Sequence, residues 1–290
     1  MLRRRNNVEL PYNINFEEKV AVVTGGSGVL GSTMCKALAQ AGAKVVVLAR
    51  NEEKINDVVE KIEAVGGQAF GYSVDVLDKK KLEEVHDKIK AEVGLCNILI
   101  NGAGGNAPGA TTSHECLSLE DVQSDGEQSF FDLQEDAVGK LFELNFLGTL
   151  LPTQVFAKDM VDMDDATIIN VSSMNAYQPL TKIPAYSAAK ASISNFTQWL
   201  AVYFSKVGIR VNAIAPGFFL TEQNRGLLLK EGGEYSDRAE KIICQTPMER
   251  FGEAEELIGT LFWLVNKKAS SFVNGVVIPI DGGFSAYSGV

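Results

Sequence analysis

Beyond residue 17 the chain alternates short apolar runs with longer segments in which apolar residues recur at helical spacing, and the alternation continues to the C-terminus. Apolar runs without polar interruption predict strands covered on both faces. The periodic stretches between them predict crossover helices, so the pattern is one of stacked βα units. Strands are expected at Lys19–Thr24, Lys44–Ala49, Gln68–Val74, Asn97–Asn101, Thr167–Ser172, Arg210–Ala215 and Val276–Pro279. They imply one α/β domain over residues 1–290, a doubly wound, seven-stranded parallel sheet with helices on both faces. Three stretches break the pattern. Residues 1–17 read as a polar arm, residues 105–135 as an inserted loop rich in Gly, Ser, Thr and acids, and residues 218–250, after a Pro-Gly break, as a lid. Connections of that length are functional covers or disordered loops.

The first strand runs into Thr24-Gly25-Gly26-Ser27-Gly28-Val29-Leu30-Gly31, and a helical pattern follows through Met34, Leu38 and Ala41. A glycine-rich turn between strand and helix lets the backbone approach a pyrophosphate, whose charge the helix start attracts, so a dinucleotide is expected over Gly25 to Gly31. The plain alternative is a tight turn. The second strand ends Leu48-Ala49-Arg50-Asn51, with no acid to meet a ribose hydroxyl. Arg50 instead suits a 2′-phosphate and tips the NAD(P)(H) choice slightly toward NADP, unless it is a solvated charge at a helix start. After the third strand, Asp75 and Val76 stand where an adenine would lie. Asp75 either bonds its amine or caps the helix beginning near Asp78.

The fifth strand ends in Ser172-Ser173, and Tyr186-Ser187-Ala188-Ala189-Lys190 opens a small-residue helix 13 positions after Ser173. Tyr186 and Lys190, at i and i+4, share one helical face. A free phenol titrates near pH ~10, and a neighbouring ammonium favours the phenolate. Ser173 can then hold a carbonyl oxygen while Tyr186 gives or takes its proton and hydride moves to or from a nicotinamide.

Composition narrows the field. With 46% apolar and 22% charged residues the chain is neither disordered nor repetitive, and its net charge of −10 argues against nucleic acid or an anionic membrane as partner. Cys35, Cys96, Cys116 and Cys244 form no CxxC pair and read as reduced, buried thiols. His86 and His114 lack ligand spacing, so no metal is expected. Arg3 to Arg5 are followed by Asn6, Asn7, Glu9 and Pro11 rather than an apolar run, and no stretch reaches the ~18 apolar residues of a membrane span. A cytoplasmic protein with a small-molecule substrate is expected.

On these motifs, together with Asn101-Gly102-Ala103-Gly104 and Pro216-Gly217, the chain from about Lys19 to Gly283 resembles the short-chain dehydrogenase/reductase family. The resemblance implies a Rossmann fold with strand order 3-2-1-4-5-6-7 and a homo-oligomer, dimer or tetramer, built on long helices. It implies that Ser173 orients the carbonyl, Tyr186 is the acid/base, and Lys190 binds ribose and lowers the tyrosine pKa. Asn145 matches the helix asparagine that holds a relay water; its alternative is a buried amide bonded to backbone. Asn101 to Gly104 match the adenosine side, and Pro216, Gly217 and Thr221 match the segment that contacts the nicotinamide amide. One position departs from the family's common spacing, with glycine at 28 and Val29 where glycine is usual.

The glycine turn and the run Gly104–Thr112 resemble the D-mannonate oxidoreductase (fructuronate reductase) subgroup, which implies a sugar-acid substrate. Asn106, Thr111, Thr112, His114, Asn175 and Gln178, beside Ser173, would meet its hydroxyls and Arg225 its carboxylate. Phe130, Phe131, Phe218 and Phe219 keep open a 3-oxoacyl substrate, with another keto sugar or a polyol as further alternatives. A dinucleotide-sensing binding protein would have no need of Ser173, Tyr186 and Lys190 together.

Overall fold

In a computed structural model, which describes residues 14–123, 126–220, 226, 228–230 and 232–289, the apolar runs become strands wherever both of their faces find helices. The strands are Val20–Thr24 (β1), Lys44–Ala49 (β2), Gln68–Ser73 (β3), Ile98–Asn101 (β4), Ala166–Val171 (β5), Ile209–Pro216 (β6) and Val277–Ile280 (β7), each within one residue of its expected ends. Every pairing is parallel and the order is β3-β2-β1-β4-β5-β6-β7.

Alternate residues of these strands feed two cores. Val45, Val47, Ile169 and Ile214 pack with Met34 and Leu38 of Val29–Gln40 (α1), Ile55 of Glu52–Glu63 (α2), and Leu261 and Leu264 near the C-terminus. Val46, Leu48, Leu99 and Ile168 point the other way. They meet Leu82 of Lys79–Glu92 (α3), Phe156 of Gly148–Met160 (α6) and Leu200 of Pro184–Tyr203 (α7). With both faces covered, the edge formed by the carboxyl ends of the strands is where polar groups can gather.

The local reading of α3 needs one correction. Its cap is Asp78, whose side chain accepts from Lys81 N at 3.1 Å, whereas Asp75 accepts from Leu77 N at 3.0 Å inside the preceding turn. The arm also differs from expectation where it is described. Phe16 is 5% exposed, meets Phe262 edge-on at 5.4 Å and donates its N–H to Ala41 O, so this one residue of the arm joins the core while Ile14, Asn15 and Glu17 beside it stay exposed. Two cysteines correct the sequence reading too. Cys35 and Cys96 are buried, and burial pushes the Cys96 thiol up to about 12, but Cys116 and Cys244 are exposed.

The insertion carries structure of its own. Single turns at Pro108–Ala110 and Phe130–Asp132, the latter closed by a reciprocal Ser129–Asp132 capping box, flank Leu119–Gln123 (α4). Ala110 packs against Leu141 of Glu135–Phe142 (α5) and against Ala185 and Ala189 of α7. The lid region holds Asp237–Cys244 (α8), whose Ala239 and Ile242 form a small core with Leu228 and Phe251. Among the described residues no helix is long and apolar enough to cross a membrane.

Phe16→Ala is expected to cost about 3 kcal/mol, the usual loss for a buried phenylalanine, and to lower the urea midpoint correspondingly without changing the unfolding slope.

Candidate active site

Two turns at the carboxyl edge touch each other. Gly25 sits at φ +66°, and a Cβ there would lie 2.8 Å from Gly102 O; a Cβ on Gly31 would lie 2.2 Å from Gly25 O. Only glycine fits either place. Gly28 stands at the N-cap of α1 with extended backbone and no side-chain cap, so the first N–H groups of that helix are left for an anion. Val29, where the family's usual spacing has glycine, begins the helix and lines the cleft. Thr24 Oγ1 accepts from Gly102 N at 3.1 Å and Ala103 N at 3.2 Å, tying the glycine turn to the segment after β4.

Asn101 has a different place from the one expected of it. It is 1% exposed and donates to Thr153 Oγ1 and Asn170 Oδ1, both at 2.9 Å, while Asn170 donates to Thr197 Oγ1 at 2.9 Å. This relay of amides and hydroxyls pins β4 and β5 to α6 and α7 beneath the site. Its neighbours Gly102 and Gly104 are the ones that line the cleft.

Ser173 caps a single turn, Met174–Ala176, its hydroxyl accepting from Asn175 N at 3.2 Å. Tyr186 and Lys190 lie on the first turns of α7, with Lys190 Nζ 5.7 Å from the phenol ring centroid. Lys190 is 5% exposed and donates to Val171 O at 2.9 Å. Burial pushes its pKa down to about 8. Burial also raises the Tyr186 phenol, and the Ser173 hydroxyl draws it partly back.

Asn145 lies in a π-helical turn, Glu143–Leu147, between α5 and α6. Its amide donates to Gly105 O at 2.8 Å and Leu141 O at 2.9 Å and accepts from Gly105 N at 3.3 Å. Both amide hydrogens are therefore committed to backbone, and only the second lone pair of Oδ1 is left to meet a water. A Cβ on Gly104 would lie 2.7 Å from that Oδ1 and 3.1 Å from Lys190 Nζ, so this glycine lets the two groups approach.

A cleft with about 1020 Å³ of empty space joins Gly25 and Gly28–Gly31 to Ser173, Tyr186, Lys190, Pro216 and Gly217. Gly105, Val171 and Ser172 line it too, although nothing in their residue types marked them, and Phe218 and Phe219 close one side. Gly26 and Ser27 complete the turn, and Gly26 N donates to Leu48 O. Arg50 is exposed at the end of β2, and the helix cap there is its neighbour Asn51. Asp75 and Val76 follow β3, away from the cleft lining, as are Asn106 and Asn175.

Thr221 and Arg225 lie outside the described residues. The insertion's polar groups largely satisfy one another. Asn106 donates to Thr111 Oγ1, Thr111 to Ala107 O, Thr112 to His114 O, and His114 pairs with Asp121 at 2.8 Å, so they are less free for a substrate than their types suggested.

An uncapped helix start behind glycines that no side chain could replace, opening onto a phenol and a buried ammonium, fits a dinucleotide with its reactive end at Tyr186. Comparison with known proteins decides the lineage: a sequence model of the short chain dehydrogenases matches residues 19–231.

The chain belongs to the short-chain dehydrogenase family. A Haemophilus influenzae structure with bound NAD, provisionally named a D-mannonate oxidoreductase, is 54% identical and superposes with a TM-score of 0.92 over 97% of this chain and 100% of that one. The Bacillus subtilis oxidoreductase UxuB, of uncharacterized activity, is 51% identical over 97% of this chain and 100% of its own. A Burkholderia cenocepacia gluconate 5-dehydrogenase solved with NADP and tartrate is 28% identical, with a TM-score of 0.79 over 95% of this chain and 98% of that one. This short-chain dehydrogenase is accordingly an NAD(P)-dependent oxidoreductase, which sets the binding-protein alternative aside.

The buried ammonium should leave a mark on stability. Unfolded, Lys190 titrates at 10.5 and folded at about 8, so the unfolded chain binds more protons between those values. The cost of burying the charge is full below the lower pKa and is relieved as pH rises toward the upper one. Lys190→Met is expected to stabilise the apo protein by on the order of 2 kcal/mol near neutral pH, with the gain vanishing above the unfolded pKa, as read by urea unfolding across that range.

Proposed function

We propose that this enzyme moves hydride between a nicotinamide cofactor and a secondary alcohol or carbonyl of a sugar acid, with D-mannonate and D-fructuronate the pair best supported. The observation that carries the reading is the meeting of Ser173, Tyr186 and Lys190 at one end of a cleft whose other end is the glycine turn. The provisional name of the Haemophilus influenzae relative supports the substrate, and the Burkholderia cenocepacia relative supports the wider class.

In the reduction direction the Ser173 hydroxyl donates to the substrate carbonyl oxygen, and the Tyr186 phenol donates its proton to that oxygen as charge develops. In oxidation Tyr186 takes the proton back. The bound cofactor supplies or accepts the hydride. Lys190, held at its ammonium by Val171 O, keeps the phenol's proton available by its charge. Asn145 fastens the start of the insertion at Gly105, and the spare lone pair of its Oδ1 is the place for a relay water.

Residues 105–135 and 218–250 close over the substrate together; Lys241 of α8 already pairs with Glu115 of the insertion at 3.0 Å. Arg225 is the proposed carboxylate clamp, and Thr221 joins Pro216 and Gly217 at the nicotinamide amide. The exposed aromatic face of α7, with Trp199 and Tyr203 stacked at 4.7 Å, is the proposed subunit contact of a dimer or tetramer. Phe218 and Phe219 in the cleft lining favour, as a second reading, a less polar carbonyl such as a 3-oxoacyl thioester.

Nicotinamide absorbance with D-fructuronate, against keto sugars, keto acids and 3-oxoacyl thioesters, separates these readings. Turnover with D-fructuronate is expected, and turnover confined to another carbonyl overturns the substrate assignment. Tyr186→Phe is expected to lower kcat by about 10²–10⁴-fold while cofactor fluorescence titrations stay unchanged.

Arg50 is proposed to favour NADP by pairing with its 2′-phosphate. Arg50→Ala should lower kcat/KM for NADPH about tenfold and leave NADH unaffected, since one charge-assisted contact is lost. Equal effects on both cofactors would remove Arg50 from cofactor choice.

A further inference from the structure

Lys190 is gripped at two points by the end of β5 and the residue after it, and only one of them is its ammonium. Val171 O takes the ammonium at 2.9 Å. The next residue, Ser172, donates its hydroxyl to the main-chain carbonyl of Lys190 at 3.0 Å and lies 2.8 Å from Ser194 Oγ, one helical turn further along α7. Ser194 is also 3.4 Å from the same carbonyl. Ser172 is itself anchored, because its N–H donates to Ile214 O on β6 and it is 2% exposed.

We infer that Ser172, backed by Ser194, is a positioning residue for the reaction: it locks the turn of α7 that carries Lys190 against the end of β5 and so fixes the ammonium beside Tyr186. The inference rests on the Ser173, Tyr186 and Lys190 reading above. A lysine side chain has four rotatable bonds, so a hydrogen bond at Nζ alone leaves its Cα free to drift with the helix. Val171 at the end of β5 and Ser172 directly after it hold both ends and remove that freedom. The pairing is also chemically complete. Ser172 donates to Lys190 O, Ser194 can donate to Ser172 Oγ, and no hydroxyl of the pair is left unbonded.

The groups around the lysine are the Val171 carbonyl and the Ser172 hydroxyl at the end of β5, Gly104 after β4, the Asn145 amide, and Tyr186 on α7 itself. None of these is a carboxylate. The distance of the ammonium from the phenol is therefore what an altered Lys190 would change, and the phenol's ionisation is where it would be read.

The test is the pH profile of alcohol oxidation by the full-length enzyme, for Ser172→Ala, Ser172→Thr, Ser194→Ala and Lys190→Ala, with unfolding midpoints measured in parallel. Ser172→Ala is expected to lower kcat about tenfold, the loss of roughly one buried hydrogen bond, with KM within about twofold. It should also move the limb assigned to Tyr186 upward by about half a pH unit or more. Ser172→Thr keeps the hydroxyl and should restore both kcat and the limb. Ser194→Ala should shift the limb in the same direction by less.

A lower midpoint with an unmoved limb, or an equal shift in the alanine and threonine variants, overturns the inference. If Ser172→Ala does not fold, an unmoved limb in Ser194→Ala, at a half-buried helix position, overturns it in its place. Full activity in Lys190→Ala brings down the underlying site reading and this inference with it, whereas an inactive Lys190→Ala beside an unshifted Ser172→Ala removes this inference alone.

Discussion

Burying both faces of a parallel sheet leaves its carboxyl edge as the place for chemistry, and there a charge must be held by uncharged partners. Lys190 is the extreme case. Its ammonium, nearly sealed from water, rests on the Val171 carbonyl, and its acidity is raised by that burial. The surroundings answer with hydroxyls, amides and bare backbone, from Ser172 and Ser194 to Asn145 and Gly104. The arrangement lets a lysine act on a phenol at close range, because a carboxylate in the same place would have held the ammonium for itself.

The same edge explains why so much polar chemistry is sunk beneath the cleft. Asn101, Asn170, Thr153 and Thr197 lie outside the proposed reacting groups, yet they bridge two strands to two helices just under the proposed catalytic side chains. Buried amides are costly unless paired, and although Asn101 Oδ1 finds no partner among the described residues, the bonds from the Asn101 and Asn170 amide nitrogens give β4 and β5 a fixed height relative to α6 and α7. Ser173 at the end of β5 and Tyr186 on α7 inherit that fixed spacing.

Much of this is legible in the sequence. Val- and Ile-rich runs mark β1, β2, β4, β5 and β6, which are buried on both faces, whereas β3 and β7 are partly exposed, and the 13-residue interval from Ser173 to Tyr186 survives as a spatial neighbourhood. What escaped notice shares a physical cause. Phe16 is one aromatic in a polar stretch and gives no periodicity. The bond between Asn101 and Asn170 joins residues adjacent only in the sheet register. Asp75 and Asp78 are the same residue type three positions apart, and only backbone geometry tells which one ends the turn and which begins the helix. The insertion looked like a row of free donors because sequence cannot show that Asn106, Thr111, Thr112 and His114 bond to its own residues.

The contact between Gly25 and Gly102 carries a consequence for how this site can change. The turns after β1 and β4 meet backbone to backbone with no room for a single extra carbon on either side. They cannot be redesigned one at a time. A loop graft meant to admit a bulkier or differently charged cofactor would have to replace both turns as a matched pair, so variation is steered outward, to the exposed end of β2, where the side chain of Arg50, the proposed cofactor contact, can be exchanged without touching either turn.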